Sequence, residues 1–590
     1  MLSIEKNVVA FLERWITKFS LTHGFAIVLL LVQLFLISPS FFTSLDDINP
    51  WDEAAHINKG RMLLDKGDWP IFAENPLVSI FYAIVYIPFR HSINWMAQSC
   101  SLGRFILFLL LWVSIYLVAR QLIPHCNPLI PLGIFLVSPL CISMLTFPSD
   151  PLFASMAGLS LWQLLSFYNN KRLKHLGLAS GFLGLAALAR NDGLILFPIM
   201  VVLSALAKVP TDHWWKNLLS SAIPFLTLVG GYVLFYGLLT GQFNLGIMER
   251  TYENFETGQG IIYTGSGDIA PILEGQLESR RVFGTPEENN YSIFKAISRH
   301  PDVYWQRLVA FTKALPARIL NAYQPRFAAA IFLFALRGIV NLWAKKAYLL
   351  LTFLFLWPAH LITAFAITLI RPGHLMFPYY IIFCLAGIGV SAFIANIHNR
   401  KEQLFWLAML SSVFLVGQHS NTLNLAYGAM LLFVGLLAIY VVNTPQLKTS
   451  SSNQITLLIL FCTGLLIRGN FPSPAYNQLG VSAKEQAVAY LAEHLPPDTL
   501  VASATPGPVW AARMTYAGLS ALDVPVYKNS TEFLAWMQGQ NIEAVYVDHN
   551  LYNQNPLVWS LIELQIGQGL ERVFLGDEGD ILILLVKARR

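Results

Sequence analysis

Charge is what this 590-residue chain has least of: Asp, Glu, Lys and Arg together supply 12% of it, about half the share of an ordinary globular protein. That shortage argues against the chain as a whole being a soluble globular protein. The net charge of +5 does not point to nucleic acid, because in such a chain the position of Lys and Arg relative to the apolar runs is what informs. Cysteine is scarce as well. The five present, Cys100, Cys126, Cys141, Cys384 and Cys462, are scattered without a CxxC pair and avoid the polar C-terminal region. A disulfide framework and a thiolate metal site are therefore not expected. No clear small-x-small cleavage site accompanies the first apolar run, His23 to Phe42, which reads as an uncleaved signal anchor. There is no repeated half and no low-complexity tract.

What is present is hydrophobic: 55% of residues, with 13% aromatic, in apolar runs that recur nearly to residue 468. Each is near the ~20 residues that cross a bilayer, so the expected fold class is an α-helical polytopic membrane protein with a small C-terminal α/β domain. About thirteen transmembrane helices are expected, near 23–42, 104–122, 129–146, 151–168, 176–189, 193–208, 217–239, 325–342, 347–369, 377–397, 404–419, 422–442 and 455–468. With the N-terminus in the cytoplasm, alternation puts Lys6, Arg14, Arg120, Lys171, Lys208, Arg337, Lys345, Arg400 and Lys448 inside, obeying the positive-inside rule almost throughout. This parity requires that the run from Pro76 to Phe89 not cross. At about fourteen residues it suits an interfacial or re-entrant helix.

The chain then divides into a transmembrane module, 1–469, and an extracytoplasmic α/β domain, 470–590. The module carries an external segment, 43–103, and an external loop, 240–322, with Gly-rich turns at Gly258, Gly260, Gly265 and Gly267 and a helix over Asn290–Leu308. In the domain, helix is expected at Ala483–His494 and Thr531–Gln538. Strands are expected at Thr499–Ala504 and Glu543–Asp548, with two more within 570–587. The location is an integral multi-pass membrane protein of a bacterial-type plasma membrane.

Polar residues gather on one face. Asn49 is a good helix N-cap, Pro50 suits the first helical position, and Asp52 and Glu53 fall in the first turn. Asp52, His56 and Gly60 then share a helix face. Glu74 closes the same external segment, and Asp150, Arg190 with Asp192, and Arg371 with His374 meet the same side. Each has a plainer reading: Asp150 as a cap before Pro151, Arg190 with Asp192 as a salt bridge, Arg371 snorkelling, His374 as a surface histidine. Their joint occurrence is the signal. Acids beside cations at a membrane face suit sugar transfer from a lipid phosphate. A carboxylate takes the proton from the acceptor hydroxyl, and the leaving phosphate, already an anion, needs cations rather than an acid.

Asp52-Glu53 after the first span, Asp150 after the third and a Gly-Leu-Ala-rich span ending in Arg190 resemble the GT-C superfamily of integral-membrane glycosyltransferases. The similar branch holds the protein O-mannosyltransferases and the lipid A aminoarabinose transferase. Glu74-Asn75-Pro76-Leu77 and His374-Leu-Met-Phe-Pro-Tyr-Tyr carry the likeness further, the latter resembling the family's Arg-Tyr-x-x-Pro-x-Tyr-Pro stretch. The resemblance covers residues 1–400 in organisation, and the α/β domain is similar to that of some bacterial members.

It implies a mannosyltransferase-like enzyme moving one sugar from a polyprenyl-phosphate carrier to an extracytoplasmic protein, lipid or glycan acceptor, with inversion. Asp52 is then the general base or acceptor-orienting acid, Glu53 stands beside it, and Asp150 is the second acid. His56 falls near the family's Asp-Glu-x-His position, but two residues intervene where the family has one. The family's phosphate-binding lysine is Asn75 here, which leaves Arg190, Arg371 or His374 to hold the phosphate, with Glu74 and Asp192 nearby. No cofactor is required by the branch resembled; Mg or Mn on the acids stays open. The alternatives are a secondary transporter, which should show broken helices at the bilayer midplane, and a non-catalytic envelope scaffold.

Overall fold

The computed structural model describes residues 21–37, 44–49, 52–69, 76–123, 125–138, 144–206, 214–241, 243, 247–264, 269–322, 325–361, 372–396, 399–419, 482–519, 529–576 and 581–587. After α1, Leu21–Ile37, the chain forms α2, Asp52–Lys66, and α3, Pro76–Tyr86. The bundle continues with α4, Trp95–Gln121; α5, Leu129–Val137; α6, Ser149–Asn170; α7, Leu173–Ala189; α8, Asp192–Leu206; and α9, Trp214–Thr240. A helical excursion follows: α10, Ile247–Thr264; α11, Ile269–Phe283; α12, Ile293–Arg299; and α13, Pro301–Ala322. The bundle then resumes with α14, Pro325–Ala344; α15, Tyr348–Leu356; α16, Pro372–Ala395; and α17, Arg400–His419.

Among the described residues, Trp95–Gln121, Trp215–Thr240 and Phe327–Ala344 are long and apolar enough to cross a bilayer. The expected spans at 422–442 and 455–468 lie outside the described residues. Helix α9 leaves Ile223, Leu226, Leu234 and Leu238 exposed, which is how a helix meets lipid. Helix α3 has 11 residues, about 16 Å, well short of the roughly 30 Å hydrocarbon thickness. It buries Val78, Tyr82 and Val85 and exposes Ile84, as a one-sided helix on the bundle surface does.

The single helix expected over Asn290–Leu308 is two, Ile293–Arg299 and Pro301–Ala322, and two further expectations need correction. The span expected from residue 104 begins at Trp95, because Trp95, Met96 and Cys100 are buried by protein packing and not by lipid. The turns expected at Gly258 and Gly260 are helical. Gly260 sits in α10, where a Cβ on the facing Gly275 would come within 2.4 Å of its backbone, so glycine here permits helix packing and does not break a helix.

The C-terminal unit is built from α18, Ala483–His494; β1, Leu500–Ser503; α19, Pro506–Ala511; β2, Thr515–Gly518; α20, Ser530–Gly539; β3, Ala544–Val547; α21, His549–Gln554; α22, Pro556–Glu563; β4, Leu570–Leu575; and β5, Leu582–Val586. The strand order is β2-β1-β3-β5-β4, with β1, β2 and β3 parallel and β4 and β5 antiparallel. Because side chains alternate along a strand, the sheet has two different faces. Val545 and Val547 pack with Phe533, Met537 and Ile562 in a local core. Ala544 and Tyr546 join the large core that runs through the helical bundle.

The unit is docked on the segment around α2 and α3 by polar contacts as well. Trp95 Nε1 donates to the Ala511 carbonyl at 2.9 Å, and Arg513 Nη2 to that of Arg90 at 2.6 Å. Lys66 pairs with Asp498 at 2.7 Å and Lys484 with Asp46 at 3.0 Å. Both ends of the stretch that carries Asp52 therefore touch the C-terminal unit.

Candidate active site

Asn49 caps α2 as its sequence predicts: its Oδ1 accepts the Asp52 amide at 3.0 Å. The cap fixes the first turn, and the two acids of that turn point to different surroundings. Asp52 is exposed and forms no ion pair among the described residues. Glu53 is fully buried. Arg104 reaches it from α4 with two parallel bonds, Nε to Oε1 at 2.9 Å and Nη2 to Oε2 at 2.6 Å. Arg104 Nη2 also donates to the Asp47 carbonyl at 3.0 Å, so the guanidinium joins both sides of the Asn49 cap. A two-pronged pair of this kind holds geometry better than a point contact.

Further along α2, His56 is buried, and Gly60 lies where a Cβ would come within 2.6 Å of the Ala83 backbone. Close packing on α3 thus fixes the helix axis behind the acids. Arg61, also buried, stacks on the Trp95 ring at 5.7 Å, and Arg513 stacks on the same ring at 5.7 Å. Burial and the neighbouring Arg513 charge both disfavour the Arg61 cation.

The second acid comes from α6. Asp150 is buried at its N-terminal end and is ion-paired to Arg190, the residue that follows α7. Arg190 Nε also holds Asp192 at 2.8 Å, so one guanidinium engages two carboxylates. Asp52 and Asp192 lie within electrostatic range of Asp150. Four of the residues expected from sequence, Asp52, Asp150, Arg190 and Asp192, therefore gather at one place from three separate stretches of chain. The plain reading of Arg190 with Asp192 as a salt bridge is correct, and the same arginine serves Asp150.

Glu74 and Arg371 lie outside the described residues, as does the side chain of His374. No group of three or more His, Cys, Asp or Glu comes together as a metal site among the described residues. Asp150 and Asp192 each direct one oxygen at Arg190.

Sequence reading missed Arg104. Its signal was present: an arginine at the very start of a long apolar run, in a chain where an unpaired charge at such a place is costly.

No protein-family model matches the chain, and no curated protein matches it. Among solved structures it is similar to ArnT from Cupriavidus metallidurans bound to undecaprenyl phosphate, with a TM-score of 0.55 and 14% identity over 95% of this chain and 98% of that one. The apo state of that protein gives a TM-score of 0.52 and 14% identity over 96% and 98%. The archaeal oligosaccharyltransferase AglB from Archaeoglobus fulgidus, in complex with an inhibitory peptide and a dolichol-phosphate, gives 0.45 and 13% identity over 94% and 74%. The likeness to ArnT runs through both the helical bundle and the C-terminal sheet, and the chain has the fold of that protein.

Proposed function

We propose that the chain is a glycosyltransferase that moves a single sugar from a polyprenyl-phosphate carrier to an acceptor outside the cytoplasm. The observation that carries this reading is the exposed carboxylate of Asp52 at the edge of a cluster whose other acids are held by arginine. Asp52 takes the proton of the acceptor hydroxyl as that oxygen forms a bond to the anomeric carbon. The bond from that carbon to the carrier phosphate breaks on the opposite side, so configuration inverts and the phosphate leaves as an anion with the electron pair. Asp150, oriented by Arg190, faces the same space and fixes the acceptor or the sugar. Glu53 and Arg104 set the direction of the Asp52 turn. With Arg190 engaged by two carboxylates, the phosphate falls to Arg371 or His374. That ArnT was solved with undecaprenyl phosphate supports a carrier of this kind.

The test is transfer from radiolabelled polyprenyl-phosphate sugars to an extracytoplasmic membrane fraction by the detergent-purified chain and its Asp52→Asn variant. Transfer by the first and not the second is expected. Failure of both, with a donor preparation that a known enzyme can use, refutes the assignment.

A further inference from the structure

Where the C-terminal unit meets α2, two arginines share one aromatic ring. Arg61 of α2 and Arg513, two residues beyond α19, each place a guanidinium 5.7 Å from the centre of the Trp95 ring. That ring is fixed. Trp95 is 1% exposed, its Nε1 is held by the Ala511 carbonyl, and Tyr86 packs edge-on against it with ring centres 5.2 Å apart. An aromatic face attracts a cation but does not neutralise it.

The charge at this junction does not balance. Asp65 is engaged by Arg90 at 2.9 Å and by the Tyr86 hydroxyl at 3.0 Å, and Asp498 is engaged by Lys66 at 2.7 Å. Neither Arg61 nor Arg513 forms an ion pair among the described residues. Arg61 is nevertheless only 5% exposed, and a buried cation without a counter-ion is costly. Burial and then the Arg513 charge lower its pKa, while Tyr86, Asp65 and Asp498 each oppose this by less. The fold thus brings two like charges together, and the described residues supply no anion to match them.

Donors remain for one. A guanidinium carries five N–H groups. Arg61 uses Nε on Asn58 Oδ1 at 3.1 Å and Nη2 on Met62 Sδ at 3.5 Å, and Arg513 uses Nη2 on the Arg90 carbonyl at 2.6 Å. Nη1 of both arginines has no hydrogen bond among the described residues. Arg513 is also held at φ 63°, a left-handed conformation that glycine adopts with less strain.

Depth indicates what the anion belongs to. Trp95 opens a 27-residue helix that is long and apolar enough to cross a bilayer, and a tryptophan at the end of such a helix belongs at the level of the lipid headgroups. Arg61 follows Asp52 by nine residues on α2, about 13 Å along the axis at 1.5 Å per residue, which separates this place from the acid cluster.

We propose that Arg61 and Arg513 bind the phosphate of one anionic lipid headgroup, on the membrane face that carries the C-terminal unit, and that this lipid bridges the unit to α2. Guanidinium forks match phosphate oxygens in direction as well as charge. No sugar donor enters into this inference, which stands apart from the transfer reaction.

The experiment is native mass spectrometry of the full-length protein in detergent, titrated with phosphatidylglycerol. Diacylglycerol and inorganic phosphate serve as the two halves of that probe. One saturable phosphatidylglycerol should bind, diacylglycerol should not, and inorganic phosphate should compete only at much higher concentration. Arg61→Gln and Arg513→Gln should each weaken lipid binding by about tenfold or more, the worth of a charge-assisted hydrogen bond. Lys66→Ala removes a cation of the same junction that Asp498 already pairs, and should bind like the parent. Because Arg513 also donates to the Arg90 carbonyl, unfolding midpoints are taken without lipid. Arg61→Gln removes an unmatched buried charge and should keep its midpoint, so its weaker binding is not unfolding. Parent-like binding by both arginine variants, or an equal loss in Lys66→Ala, overturns the site. Diacylglycerol or inorganic phosphate binding as tightly as phosphatidylglycerol overturns the lipid headgroup as its ligand.

Discussion

At the turn between α7 and α8 one arginine holds two carboxylates, whereas at the start of α2 one carboxylate is locked by arginine and its neighbour in sequence is exposed. The two regions meet within electrostatic range. Their difference separates tasks. Where an acid is fully engaged, as Glu53 is by Arg104, its oxygens are occupied and its contribution is geometry. Where an acid is exposed on a capped first turn, as Asp52 is, it can exchange a proton with what arrives. In the proposed reaction, Asp52 is then the reacting carboxylate and the other three orient it or the substrates.

The sharpest way to break that contrast is to remove the charge of each neighbour in turn. Asp52→Asn keeps the shape and the Asn49 cap, and should lower the transfer rate by roughly 10²- to 10⁴-fold, the usual worth of a general base. Its thermal unfolding in detergent should match that of the parent. A variant that keeps more than a tenth of the rate would move the base elsewhere.

Arg104→Ala should act on stability first. It leaves Glu53 charged and buried without its partner, a change that costs about 3–5 kcal/mol. Thermal unfolding should show this drop, and the double change Glu53→Gln with Arg104→Met should recover much of it, because no charge is then stranded. If Arg104→Ala unfolds like the parent, Glu53 is not locked and the division of tasks fails.

Arg190→Ala tests the other region. Asp150 would lose its orienting partner, and displacement of a positioned group by about an ångström can cost on the order of 10²-fold in rate. Transfer kinetics should show that loss, with a much smaller effect from Asp192→Asn, whose carboxylate is the outer of the two on Arg190.

How much of this was legible in the sequence depends on how far apart the partners lie. The Asn49 cap was readable, since donor and acceptor are three residues apart and cap chemistry is local. The strands β1, β3, β4 and β5 were readable from alternation and turn residues. Short α19 and β2 were not, because six- and four-residue elements carry too little pattern to outweigh their neighbours. Arg104 with Glu53 and Arg190 with Asp150 join residues 51 and 40 apart. Nothing local pairs them; only the packing of α4 on α2 and the antiparallel return of α7 beside α6 does.

The smallest expected effect concerns how the C-terminal unit stays in place over α2. Lys66 and Asp498 are 36% and 46% exposed, and such pairs contribute about 0–1 kcal/mol because water and salt screen them. The buried side of the same junction is different: Ala544, Tyr546 and Ile583 of the sheet share one continuous core with Met96 and Cys100 of α4, and apolar burial is not screened. Lys66→Ala should therefore change the unfolding midpoint little at any ionic strength, and high salt should not loosen the unit. Limited proteolysis of the full chain across a salt series reads this directly. Release of the C-terminal unit in salt, or on Lys66→Ala alone, would mean that charge and not packing seats it over α2.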